Sequence, residues 1–165
     1  MEKNIEPIGI NAHEGLVPVV GNDLEFLRRG KNDNRASFFH NAVITRSEQR
    51  AWFGRYQGSN REHMFIVCSS AKRVGILGLR LIGEGKAELY NVMRVGPGTA
   101  DTHGLMSRAL NALIQHYSSV HGVEDFLAVV VRGNPALKWY QRNGFQIRSE
   151  NDEAVHIGRR GSSPV

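Results

Sequence analysis

Apolar residues recur along this chain with two periods, and the switches between them mark out its elements. Leu16-Val-Pro-Val-Val20 reads as a first strand. Pro18 confines it to a sheet edge, because proline has no N–H to donate to a ladder. Asn22-Asp23 then offers an N-cap, and Leu24 and Leu27 share one helical face within 24–29. A clearer helix start stands at Thr45, with Glu48 placed as in a capping box. Ala51, Trp52 and Tyr56 follow at helical spacing until Gly58-Ser-Asn60 breaks the helix. Three strand-length runs come next: Met64–Cys68, Val74–Ile82 and Ala87–Val95. Their short joints, at Lys72-Arg73 and Gly83-Glu-Gly-Lys86, predict an antiparallel meander. Leu105, Ala109, Leu113, Ile114 and Tyr117 form the apolar stripe of a helix over 105–117. Beyond Gly122 the chain reads as a buried strand at 126–131, a short helix at 135–142, a strand at 145–149 and a last short strand at 154–157. Residues 1–14 and 158–165 read as irregular.

This order predicts one mixed α/β (α+β) domain over residues 1–165. Its central mixed sheet has six to seven strands, antiparallel in the first half, and four helices flank it. The connection from the strand at 87 to the strand ending at 131 passes through a helix, so those two strands are expected to be parallel with a right-handed crossover.

Composition narrows the class. With 165 residues and 41% hydrophobic content the chain can bury a core, which excludes disordered and collagen-like classes. The single cysteine, Cys68, cannot form an intramolecular disulfide and fits a reducing compartment. Within its strand it reads as a small core residue, since no histidine flanks it in a catalytic pattern. The N-terminus is polar and no apolar run approaches the ~20 residues of a membrane helix, so a cytoplasmic protein without a membrane partner is expected. The net charge of +5 suits anionic ligands. The excess is thinly spread, in Arg28, Arg29, Lys31 and Arg35 and again in Arg159 and Arg160, so a nucleic-acid partner is not expected. His116 and His121 stand across a helix end without ligand spacing, so no metal is expected.

Two segments carry candidate chemistry. Asp101-Thr-His-Gly-Leu-Met106 opens the helix at 105, and a glycine-containing loop there presents free N–H groups at the positive end of the helix dipole. Asn134-Pro-Ala136, Trp139-Tyr140 and Asn143-Gly-Phe145 follow the buried strand at 126–131. With the order of elements, this second stretch resembles the GNAT superfamily of acyl-CoA-dependent N-acyltransferases, across roughly residues 16–157. Ile44-Thr45, Glu48-Gln49, Trp52-Phe53, Met64-Phe-Ile-Val67 and Val74-Gly-Ile76 are similar to one branch of it. That branch holds ribosomal-protein N-terminal acetyltransferases and enzymes that acetylate nucleotide-linked amino sugars.

The resemblance implies acetyl-CoA as acyl donor, no metal, and attack by a primary amine on the thioester. The family's phosphate loop usually reads Arg/Gln-x-x-Gly-x-Gly/Ala. Here Gly104 falls on the first glycine, Met106 on the second and Asp101 on the Arg/Gln, so one signature position is kept. The backbone N–H groups of Thr102, His103, Gly104, Leu105 and Met106 do not depend on side chains, and Thr102 adds a hydroxyl. His103 is either a cation near phosphate or simply exposed. Met93, Arg94 and Val95 match the strand end whose backbone holds the acyl carbonyl, where the strand splays from its parallel neighbour. Tyr140 matches the tyrosine that protonates the leaving thiolate, and Asn134 the residue that hydrogen-bonds the pantetheine arm. Glu88, sharing a strand face with Tyr90, is the candidate base, directly or through a water; a solvent-facing carboxylate is the other reading. Asn34, Arg35, Phe38, Phe39 and His40, ahead of the helix at 45, would wall the acceptor pocket together with Tyr90. The acceptor is a small amine such as a nucleotide-linked amino sugar, slightly favoured, or a protein N-terminus. A GNAT-fold binding module without catalysis is suggested by the altered loop and opposed by Tyr140 and Asn134. A homodimer is left open.

Overall fold

The runs of β-branched and aromatic residues pair as the short joints between them require. In the computed structural model, which describes residues 3–161, the elements follow in this order. They are β1 (Ile8–Gly9), β2 (Glu14–Pro18), α1 (Leu24–Asp33), α2 (Arg46–Gly58), β3 (Glu62–Ser69), β4 (Lys72–Gly83), β5 (Lys86–Arg94), α3 (Leu105–His121), β6 (Asp125–Val131), α4 (Ala136–Arg142), β7 (Gln146–Glu150) and β8 (Ala154–Arg160). The strands form one sheet in the order β1-β2-β3-β4-β5-β6-β8-β7. Pairing is antiparallel from β1 to β5, parallel between β5 and β6, and antiparallel again through β8 and β7.

The two sheet faces bury different helices, and strand alternation assigns each residue to one of them. On one face Phe65, Val67, Leu77 and Leu89 pack with Leu105, Leu110 and Leu113 of α3 and with Tyr140 of α4. On the other, Met64, Ile66, Ile76 and Met93 pack with Leu27 of α1 and Tyr56 of α2. The helix ends are local decisions. The Thr45 hydroxyl accepts from Glu48 N at 3.2 Å, and the Glu48 carboxylate accepts from Thr45 N at 2.8 Å, which closes the expected capping box on α2.

Several expectations are corrected. The sheet has eight strands, because β1 forms within residues 1–14 and pairs at Ile8–Leu16 and Gly9–Gly15. The first strand is 14–18, and it lies inside the sheet between β1 and β3. Pro18 is tolerated there because β1 reaches only Gly15 and Leu16, leaving the proline no neighbour on that side. Asp23 does not cap α1. Its carboxylate turns back to accept from Val20 N at 2.9 Å and pairs with Arg73 at 2.8 Å. Helix α1 continues through Gly30 to Asp33, and β8 runs on to Arg160 within the segment read as irregular; residues 162–165 lie outside the described residues.

One irregularity bends β5. Between the pairs Ile76–Met93 and Gly78–Tyr90, strand β5 inserts Asn91 and Val92 opposite the single residue Leu77. Asn91 takes up the turn with φ of 52°. The bulge inverts the alternation, so Tyr90 and Met93 share the α1–α2 face although three positions separate them.

Candidate active site

Strands β5 and β6 pair only at Lys86–Asp125, Ala87–Phe126 and Glu88–Leu127. Past that point both continue but separate, so the β6-facing edge of β5 has no strand partner. Backbone N–H and C=O groups there need a partner from elsewhere. A cleft of about 1000 Å³ opens in the gap, walled by Leu89–Arg94 on one side and Val129, Val130 and Asn134 on the other. A second cavity of about 500 Å³ lies behind it against α2, lined by Ile44, Gln49, Trp52 and Arg55. Lys31, His40, Arg80, Tyr90, Asn91 and Met93 border both spaces.

The cleft gathers most of the expected residues. Tyr140, Glu88, Tyr90, Met93 and Arg94 line it, with His103, Gly104 and Met106 at one end and Phe38 and Phe39 at another. Tyr140 is 6% exposed, and burial holds its phenol well above the ordinary tyrosine range. Its ring is wedged edge-on between Trp139 and Phe145, at centroid distances of 5.0 and 5.2 Å. Trp139 is itself fixed by donating to Ser107 Oγ at 2.9 Å, which ties α4 to α3. Asn134 lines the cleft with its amide engaged at both ends. Its oxygen accepts from Ala136 N at 2.9 Å and its nitrogen donates to Ser37 O at 3.3 Å.

Other expected residues stand apart from the cleft wall. The Leu105 side chain is fully buried in the core. Thr102 is buried too, its hydroxyl donating to Thr99 O at 3.1 Å and accepting from Arg94 Nη2. The Val95 N–H is spent on Val74 O at 2.9 Å, and Arg35 is exposed on the 3₁₀ turn after α1. Asp101 is likewise exposed and off the cleft wall, its carboxyl lowered first by a hydrogen bond to Thr99. The charge mismatch foreseen in the loop is thus turned away from the cleft. Gly104, at φ of 74°, makes the left-handed turn into α3. Helix geometry leaves the N–H groups of Leu105, Met106 and Ser107 without helical acceptors.

Electrostatics around Glu88 was not foreseen. Arg80 donates to Glu88 at 3.0 Å and to Glu62 at 3.1 Å, with its guanidinium 4.3 Å from the Tyr90 ring centroid. The phenol of Tyr90 is sealed from solvent without a hydrogen-bond partner, and burial first, then Glu62, raises its pKa. The meander carried the signal, since Arg80 stands directly opposite both Glu62 and Glu88 in register. Lys31, Asn91 and Arg142 also line the cleft and were missed. Lys31 and Asn91 meet only in three dimensions, whereas Arg142 lies two residues after Tyr140 and was there to be read. Cys68 behaves as a packed side chain, its thiol pushed up by burial. Among the described residues no three His, Cys, Asp or Glu side chains converge to hold a metal ion, and no helix is long and apolar enough to cross a membrane.

A family model described as an acetyltransferase (GNAT) domain matches residues 15–146. No curated protein matches the chain. Among solved structures, RimL, a ribosomal L7/L12 alpha-N-protein acetyltransferase in complex with coenzyme A, is 17% identical with a TM-score of 0.75, over 94% of this chain and 98% of that one. Spermidine N-acetyltransferase from Vibrio cholerae, in complex with CoA and spermine, is 17% identical with a TM-score of 0.76, over 92% and 97%. The acetyltransferase that modifies the N-terminal serine of L7/L12 in Salmonella typhimurium is 18% identical with a TM-score of 0.73, over 95% and 100%. At these identities the likeness is one of fold.

Proposed function

The chain belongs to the GNAT acetyltransferase family, and from that premise we propose that it transfers the acetyl group of acetyl-CoA to the primary amine of a small, anionic acceptor. The observation that carries this reading is the cleft where β5 and β6 part, with Tyr140 on its wall. The thioester lies along the unpaired edge of β5, whose backbone N–H groups polarise its carbonyl as the tetrahedral intermediate forms. The pyrophosphate rests on the free N–H groups that open α3. Arg94, His103 and Arg142 supply nearby donors along the cleft. Attack forms the N–C bond and breaks the C–S bond, and Tyr140, kept protonated by burial, gives its proton to the departing thiolate. Glu88, on the same wall, receives the proton of the amine directly or through a water, with Arg80 fixing its orientation.

The lining of the second cavity favours an anionic acceptor. Lys31 and Arg55 border it without a carboxylate partner among the described residues, Arg80 is held by Glu62 and Glu88, and the only carboxylate among its lining residues, Glu48, is committed to the N-terminus of α2. A polycation such as spermidine would find no free counter-charge there, whereas a phosphate or carboxylate would. Trp52, stacked on Tyr56 at 5.2 Å, offers a flat apolar surface for a base or ring. The likeness to two ribosomal-protein acetyltransferases over nearly the whole chain supports a second reading, in which the acceptor is a protein N-terminus.

The test is thiol release from acetyl-CoA across a panel of nucleotide-linked amino sugars, polyamines and short peptides. Turnover with the anionic small amines at kcat/KM at least tenfold above spermidine is expected. Preference for spermidine would overturn the acceptor assignment. Preference for peptides would select the second reading, and binding of acetyl-CoA without turnover on any amine would leave a binding module.

A further inference from the structure

Gly30 lets α1 approach the end of β5 closely, since a Cβ at that position would lie 2.7 Å from Val95 Cγ2. The close approach carries Lys31 to the bulge. Its ammonium nitrogen sits 3.5 Å from the Phe38 ring centroid and donates to Asn91 Oδ1 at 2.5 Å, across 60 residues of sequence. Lys31 borders both the donor cleft and the second cavity. Among the described residues it makes no salt bridge. A lysine half-buried at a junction of two substrate spaces, with no carboxylate partner, loses hydration that one ring face and one amide oxygen replace only in part.

We infer that Lys31 is itself an acceptor: its amine takes the acetyl group from bound acetyl-CoA when no substrate amine occupies the second cavity. This rests on the acetyl-CoA reading above. The Nζ lone pair adds to the thioester carbonyl carbon held at the β5 edge. The intermediate collapses with the C–S electron pair leaving on sulfur. Tyr140 protonates the thiolate and is reprotonated by the proton that the nitrogen loses. The products are Nε-acetyl-Lys31 and free coenzyme A, with no other reactant needed. Burial alone lowers the Lys31 pKa to about 8. At neutral pH a useful fraction of the amine is therefore unprotonated, on the order of a hundredfold more than for an ordinary lysine. The acetylated side chain has lost its charge and carries added bulk at the junction, so it narrows the route from the second cavity to the donor.

The chain has five lysines, which makes the test direct. The full-length protein is incubated with acetyl-CoA and no amine, its intact mass is followed, and the modified residue is mapped by peptide mass spectrometry. A parallel titration measures acetyl-CoA binding. The expected result is addition of one acetyl group at Lys31, first order in protein, saturating with acetyl-CoA, and faster as pH rises through about 8. Lys31→Arg should gain no acetyl group, and Tyr140→Phe should slow the reaction at least tenfold. A substrate amine from the panel should protect Lys31. Acetyl-CoA binding with Lys31 unmodified, or with the label spread over exposed Lys72, Lys86 and Lys138, would overturn the inference and leave the donor assignment standing. Absence of acetyl-CoA binding would overturn both.

Discussion

Tyr140 shows how far a single residue could be read from sequence and where reading stopped. Its place in Asn134-to-Phe145 marked it, and the fold sets it on the cleft wall with a buried ring. Among the described residues its hydroxyl takes part in no hydrogen bond within the protein, so the donor is free for a ligand. Tyr140→Phe removes that donor and little else. It should lower kcat by roughly 100-fold, within the usual range for a positioned acid, while the Kd for acetyl-CoA moves less than about threefold. Steady-state kinetics paired with a binding titration separates the two, and unchanged kcat would remove Tyr140 from the chemistry. Lys31 is the contrary case. Nothing in Arg28-Arg-Gly-Lys31 distinguishes this lysine from a solvated one. Its environment is made by Asn91 and Phe38, and the former reaches it only because a bulge turns β5.

At the scale of elements, what was legible was what neighbours in sequence decide. The capping box of α2 needs only Thr45 and Glu48 three positions apart, and the meander needs only short joints. Thr45→Ala breaks the box and should cost about 1 kcal/mol, a fall in Tm of about 2–4 °C for a chain of this size. Because α2 walls the second cavity and not the donor cleft, the acceptor KM should rise while acetyl-CoA binding holds. Thermal unfolding and the two binding measurements decide this, and equal losses on both sides would show that α2 supports the whole site. The bulge at Asn91 was not legible. Strict alternation along 87–95 puts Glu88 and Tyr90 on one face and Met93 on the other, and only the extra residue against Leu77 brings Met93 round. Strand β1 was missed for a related reason, because two residues carry no period and are held by what they pair with.

Across the whole molecule, the order β6-β8-β7 and the two separate cores are consequences of packing that no local signal encodes. They also bury every phenol in the chain. Of the four tyrosines, Tyr56 of α2 packs in the core on the α1–α2 face, Tyr117 of α3 and Tyr140 of α4 pack in the other core, and the Tyr90 phenol is sealed beside Arg80. Burial is the first cause of a raised pKa in each, to about 12 for Tyr56 and higher for the rest. A phenol whose folded pKa is raised favours the fold fully below its unfolded value near 10, and that advantage is lost as pH rises beyond it, because only the unfolded chain then releases the proton. Each tyrosine therefore steepens the loss by about 1.4 kcal/mol per pH unit, somewhat less where a ring keeps contact with water. Four acting together approach ~5 kcal/mol per unit, against a total stability of about 5–15 kcal/mol. Lys31 acts in the opposite sense. Its folded pKa of about 8 lies below the ordinary value, so stability rises with pH from there until the unfolded lysine also loses its proton near 10.4. The buried thiol of Cys68, pushed up from its usual range, opposes this above about 8.5. Stability should thus change little between about pH 8 and 10 and then collapse within about one to three units above it. Tyrosinate absorbance and circular dichroism followed together over that range check this. The phenolate signal should appear only as the fold is lost, whereas phenols titrating near pH 10 in a folded protein would show that burial does not hold them protonated.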